Sequence, residues 1–125
     1  RPLRERDKIF SFDLGSTLIG GQLGARKSEF DYGDRLIAQC LLNPPHEDLW
    51  IDIALLDGQD RTIERSGQVA TRDMLHTSFV YNIGNSLVPG DYSMVLHTNG
   101  KEVARRQFKI IGDPESLPQM DLLSN

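Results

Sequence analysis

The stretch Leu87-Val88-Pro89-Gly90-Asp91-Tyr92-Ser93-Met94-Val95-Leu96-His97-Thr98-Asn99-Gly100 constrains this chain more than any other, because it encodes a turn, a strand and a hairpin turn in succession. Pro89-Gly90 suits a tight turn: proline presets φ, and glycine is free to take a positive φ. Tyr92, Met94 and Leu96 alternate with Ser93 and His97, which predicts a half-buried strand, blurred only by Val95. Asn99-Gly100 is a strong two-residue hairpin signal, since both turn positions require φ > 0.

Similar patterns recur along the chain. Phe10, Phe12 and Leu14 alternate with Ser11 and Asp13 in a first strand. Between Leu18 and Leu23 apolar residues are interrupted by Gly20 and Gly21, which predicts an irregular edge or a loop. Phe30-x-x-Gly33-Asp34 is a turn, followed by a strand with Leu36, Ala38, Cys40 and Leu42 inward and Ile37, Gln39 and Leu41 outward. Asn43-Pro44-Pro45 stops it. From Leu49 to Leu56 the odd positions are large and apolar and face the core, which turns Trp50, Asp52 and Ala54 outward. Asp57-Gly58-Gln59-Asp60 turns into a short polar edge strand over Arg61–Arg65, and Ser66–Asp73 reads as a connection between sheets. Leu75, Thr77, Phe79, Tyr81 and Ile83 form the inward face of the next strand, and Lys101–Ile111 is the last. Pairing across Asn99-Gly100 leaves Phe108 and Ile110 on the wrong parity, so a β-bulge is expected between Ala104 and Gln107.

About seven strands with turns at roughly 8–12-residue spacing, and no amphipathic helix, predict an all-β sandwich. At 125 residues the chain suits one domain. Residues 1–8 read as a flexible lead-in, 9–111 as the sandwich and 112–125 as a tail or linker. The chain begins Arg1-Pro2 without Met, which reads as a processed or trimmed product. A net charge of −4 argues against a general nucleic-acid partner. No apolar run reaches the ~20 residues of a transmembrane span.

Leu87-x-Pro89-Gly90-x-Tyr92 resembles the turn-and-tyrosine feature of immunoglobulin-like and fibronectin type III-like sandwiches, where a tyrosine hydrogen-bonds back to the chain just upstream. That resemblance implies the same role for Tyr92. It also implies that Cys40 and Met94 stand where such domains place their two core cysteines, so the fold is expected without a disulfide. Phe30-x-x-Gly33-Asp34, Asp57-Gly58 and the Leu87–Tyr92 phrase, followed by Asn99-Gly100, are similar to those of bacterial extracytoplasmic modules of this class. The resemblance spans residues 28–111 and implies a periplasmic or extracellular setting.

No constellation for catalysis stands out. His46, His76, His97, Cys40 and Met94 lack metal-ligand spacing, and no cofactor motif is present. No Gly-x-Ser-x-Gly elbow occurs, and Cys40 is expected in the core, where a thiol is inert. His76 and His97 are expected on outward faces. The acidic pairs at 31/34, 47/48 and 57/60 fall at turns, which explains them without chemistry. Trp50 is the candidate contact residue: with Ile37 and Leu41 it is expected to make an outward apolar patch, unless it packs beneath Pro44-Pro45. The leading expectation is a non-catalytic binding or spacer module with a protein partner or a second copy, meeting it through a sheet edge or face. The alternative is a small-ligand or carbohydrate-binding sandwich that stacks its ligand on Trp50, Tyr32 or Tyr81.

Overall fold

The computed structural model describes residues 4–116. Ten strands run β1 (Ile9–Gly15), β2 (Leu18–Ile19), β3 (Gln22–Leu23), β4 (Glu29–Asp31), β5 (Arg35–Leu42), β6 (Leu49–Leu56), β7 (Thr62–Ala70), β8 (His76–Asn82), β9 (Gly90–Thr98) and β10 (Lys101–Ile111). One sheet has the order β1-β5-β8 and a second the order β4-β10-β9-β6-β7. β4 runs parallel to β10, so the sandwich is not wholly antiparallel. The strand count exceeds the seven expected because the short β4 adds itself at one sheet edge and β2 and β3 form a small two-stranded sheet of their own.

The core lies between the two sheets. Phe12 and Leu14 of β1, Leu36, Ala38, Cys40 and Leu42 of β5, and Phe79 of β8 meet Leu49, Ile51, Ile53 and Leu55 of β6, Tyr92, Met94 and Leu96 of β9, and Phe108 and Ile110 of β10. Each fully buried side chain of this size contributes roughly 1.5–3 kcal/mol. The phenyl ring of Phe108 ties three strands together, edge-on to Phe30 at 5.7 Å and stacked on Tyr92 at 5.7 Å.

The turn at Asn99-Gly100 has φ of 49° and 83°, as the hairpin signal requires. Beyond it the expected bulge is present but earlier: the register shifts between Glu102 and Ala104, leaving Val103 as the extra residue. That single insertion returns Ala104, Phe108 and Ile110 to the core parity. A second bulge in β1 throws Phe10 out of register, so it is 70% exposed rather than inward. Leu75, also expected inward, precedes β8 and is exposed.

Gly20 and Gly21, with φ of 60° and 78°, form the two-residue turn of the small β2–β3 hairpin. The Gln39 side chain accepts the Leu23 N–H at 2.9 Å and donates to the Gly21 carbonyl at 2.8 Å, which anchors the hairpin to the outer face of β5. Residues 5–8, expected to be loose, instead form a 3-10 turn with Lys8 buried. The Lys8 ammonium donates to Glu5 at 2.9 Å and Glu47 at 2.6 Å, and Glu5 accepts from Thr98 at 2.8 Å. Residues 1–3 of the expected lead-in and 117–125 of the expected tail lie outside the described residues.

Candidate functional site

β7 is nine residues long and runs well past Arg65, where the edge strand was expected to stop; the crossing between sheets starts only after Ala70. It is the outermost strand of the five-stranded sheet and is exposed along most of its length. Its partner β6 fixes which way each side chain points. Trp50, Asp52 and Ala54 on the outer face stand opposite Val69, Gly67 and Arg65.

Trp50 is 48% exposed and Val69 is 54% exposed. The indole lies across Gly67: a Cβ there would sit 2.3 Å from Trp50 Cζ2, so only glycine leaves room for the ring. Trp50 therefore packs on β7 and not beneath Pro44-Pro45. Its backbone is pinned by Asn99, whose side-chain oxygen accepts the Trp50 N–H at 3.1 Å and whose N–H donates to the Trp50 carbonyl at 2.8 Å. Next along the face, Asp52 accepts from Arg65 at 2.9 Å and lies 3.0 Å from His97 Nδ1. Beyond that, Ala54, Leu56 and Val95 form a small buried cluster on the same outer face, which explains the apolar Val95 in an otherwise alternating strand.

The expected patch of Ile37, Leu41 and Trp50 does not form. Ile37 and Leu41 belong to the three-stranded sheet and Trp50 to the five-stranded one, so their outward faces point in opposite directions. Ile37 is fully buried opposite Gly15, against which Leu23 of the hairpin lies, and Leu41 is half-buried. Tyr32 is not a stacking platform either: it is 7% exposed, and its hydroxyl donates to the Leu87 carbonyl at 2.7 Å. Tyr92 donates to the Val88 carbonyl, the upstream bond its turn implied. Gly90 after Pro89 has φ of 144°. Cys40 and Met94 are both buried in the core, and burial pushes the Cys40 thiol up to about 12.

His46 is buried, with its ring nitrogens 2.8 Å from the carbonyls of Glu47 and Met74. His76 is exposed, and His97 is half-buried rather than freely solvated. Among the described residues no three His, Cys, Asp or Glu side chains are grouped to hold a metal ion. The acidic turn residues are used locally: Asp57 accepts the N–H groups of Gln59 and Arg61, and Asp34 that of Asp31. An open cleft of about 610 Å³ between Ser28, Asp57, Asp91, Gln107 and Lys109 is lined by side chains such as Asp91 and Lys109, which pair with each other at 2.9 Å. Trp50 and Val69 make an exposed apolar surface beside a strand edge with which, among the described residues, no other strand pairs. Val69 and Gly67 escaped the sequence reading because β7 has no strong alternation there to extend it past Arg65.

No family model matches the chain, and no curated protein is similar to it. Among solved structures, it is similar to an immunoglobulin-like protein (PA1606) from Pseudomonas aeruginosa, with 12% identity, a TM-score of 0.56, and coverage of 81% of this chain and 92% of that one. The fold is immunoglobulin-like. It is also similar to part of the alkylpurine DNA glycosylase AlkC of Pseudomonas fluorescens, a structure bound to DNA containing an abasic site analog, with 12% identity and a TM-score of 0.52. That match covers 88% of this chain but 32% of the glycosylase, so the sandwich spans about a third of that protein. Among the described residues no helix is long and apolar enough to cross a membrane.

Proposed function

We propose that this chain is a non-catalytic binding or spacer module of a bacterial envelope or secreted protein, acting through protein–protein contacts. The contact site is β7 together with the outer face beside it. The observation that carries this reading is the half-exposed Trp50–Val69 pair, adjoining a nine-residue strand that, among the described residues, has no neighbour on its outer side. Apolar surface at such an edge favours strand addition, in which main-chain bonds give affinity and side chains give selectivity. The acidic balance of −4 supports a protein over a nucleic-acid partner. The extracytoplasmic setting rests on the turn phrases, and the bacterial one on those phrases and on the immunoglobulin-like Pseudomonas protein of similar fold. A carbohydrate site has little support, because Tyr32 is buried, Tyr81 packs against the core from the other sheet, and Trp50 is left without either as a stacking partner.

The test is a photoreactive side chain placed at Val69 and, as a control, at Val88, an exposed apolar loop residue. The protein is irradiated in the cells that make it. A discrete higher-mass adduct from Val69 and none from Val88 is the expected result; equal smears from both positions overturn the reading.

A further inference from the structure

The two lateral sides of the sandwich are protected very differently. On one side β1 is interrupted by the Phe10 bulge, and its end is occupied by the chain at 26–27, where Gly15 bridges Arg26 and the Lys27 N–H donates to the Leu14 carbonyl at 2.9 Å. β4, beside it, is three residues long. Bulges, short strands and flanking charge are the usual defences of an edge. On the other side the Gln68 side chain occupies the Ser78 carbonyl of β8 at 3.1 Å. β7 has such cover only toward its start, in the bulge at Ile63 and the charges of Glu64 and Arg65: it contains no proline and no lysine, and among the described residues no strand pairs with its outer edge.

The alternation in β7 is also inverted. Glu64, Ser66 and Gln68 stand opposite the core residues Leu55, Ile53 and Ile51, whereas Arg65, Gly67 and Val69 share the outer face with Trp50. Ile63, at the bulge beside them, is exposed as well. The inward positions of β7 are thus polar, while its outer side carries the exposed apolar Val69 and Ile63 beside Arg65, and apolar side chains along a sheet edge are what a further strand would cover.

We propose that β7 pairs antiparallel with β7 of a second copy about a two-fold axis through Ser66, which joins the two five-stranded sheets into one. This rests on the reading of β7 as a protein contact site and names its occupant. A two-fold perpendicular to the sheet keeps every side chain on its own face, and the sequence then complements itself. Thr62 meets Ala70, Ile63 meets Val69, Glu64 meets Gln68 and Arg65 meets Gly67, so all nine residues are paired. Apolar residues face each other at both ends, and no like charges are opposed. Moving the axis to Glu64 or Arg65 sets a charge directly against itself. In the Ser66 register Arg65 of the second copy lies opposite Gly67, where the Trp50 ring occupies the space of the missing side chain, an arrangement suited to a cation–π contact. The interface is isologous and closes at two copies.

Solution mass by light scattering over a wide concentration range, with a cysteine cross-link as the second readout, tests this. The expected mass rises with concentration from that of one chain to that of two. Val69→Lys weakens the association by at least about tenfold while leaving the thermal unfolding of the single chain unchanged. Opposed Cα atoms of an antiparallel pair are about 4.5–5.5 Å apart, within disulfide reach, so Ser66→Cys forms a covalent dimer under mild oxidation. Gln68→Cys, displaced from the axis, does not, and buried Cys40 stays silent in both variants. A one-chain mass throughout, with no Ser66→Cys cross-link, overturns the second copy as partner and leaves the contact reading to be decided by the adduct at Val69. A dimer indifferent to Val69→Lys, or one in which Gln68→Cys links as readily as Ser66→Cys, overturns the pairing proposed.

Discussion

Two tyrosine hydroxyls hold the turn before β9: Tyr32 and Tyr92 donate to the neighbouring carbonyls of Leu87 and Val88. Tyr92→Phe and Tyr32→Phe are each expected to cost about 1–2 kcal/mol in urea unfolding, the cost of leaving a carbonyl with a weaker partner. Burial raises both hydroxyl groups above the ordinary value of 10, so they are kept neutral in the folded state. Their contribution is fully present below pH 10 and is lost as pH rises through the higher folded values, a decline that the double Phe variant should flatten. The role of Tyr92 was legible because its acceptor lies four residues upstream in one local phrase. That of Tyr32 was not, since nothing near it in the sequence marks an acceptor 55 residues away. The same limit hid the Trp50–Gly67 contact, which exists only once β6 and β7 pair. Gly67→Ala would force the indole off β7, and Trp50, the only tryptophan, should then show red-shifted fluorescence. An unshifted spectrum would mean that the ring does not rest on β7.

Elements were legible where an alternation ran uninterrupted. β6 spans the predicted Leu49–Leu56 with its odd residues inward, because both ends are punctuated and every inward position is large. The bulge in β10 was foreseen from parity but misplaced, since parity shows that one residue is extra without showing which one the ladder expels. The 3-10 turn at Glu5–Lys8 was missed outright, because its stability comes from residues remote in sequence. Burial alone would lower the Lys8 ammonium, but hydrogen bonds to Glu47 and Glu5 and their charges hold it above its ordinary value. Burial would likewise raise Glu5, yet Lys8, Thr98 and Asn99 hold it low, and the Lys8 hydrogen bond does the same for Glu47. Both carboxylates therefore stabilise the fold above their ordinary value of 4.5, and that contribution is lost as pH falls through the lower folded values. Lys8→Met should cost about 1–3 kcal/mol at neutral pH. Its unfolding free energy should also fall less steeply than the parent's on acidification below 4.5, as followed by urea titrations at several pH values. Parallel curves would place the acid sensitivity elsewhere.

At the scale of the whole molecule, alternation reports which face a residue occupies but not which sheet it belongs to. That is why Ile37, Leu41 and Trp50 looked like neighbours and are not: all three point outward, from opposite layers. The sandwich itself was legible from its turns and its inward residues, and its closure has a built-in reporter. Cys40 is the only cysteine, it is buried in the main core between the sheets, and its thiol is pushed up to about 12, so the folded chain presents almost no thiolate. A thiol reagent must wait for the layers to part. If β5 is released only by global unfolding, the labelling rate should rise with urea along the slope of the equilibrium transition. A shallower slope would instead reveal partial opening of the three-stranded layer. The same rate separates one chain from two. Association of folded chains through β7 stabilises them by mass action, so Cys40 labelling should slow as protein concentration rises. In Val69→Lys that dependence should vanish while the urea slope persists, because the substitution alters an outer edge and leaves the core around Cys40 as it was.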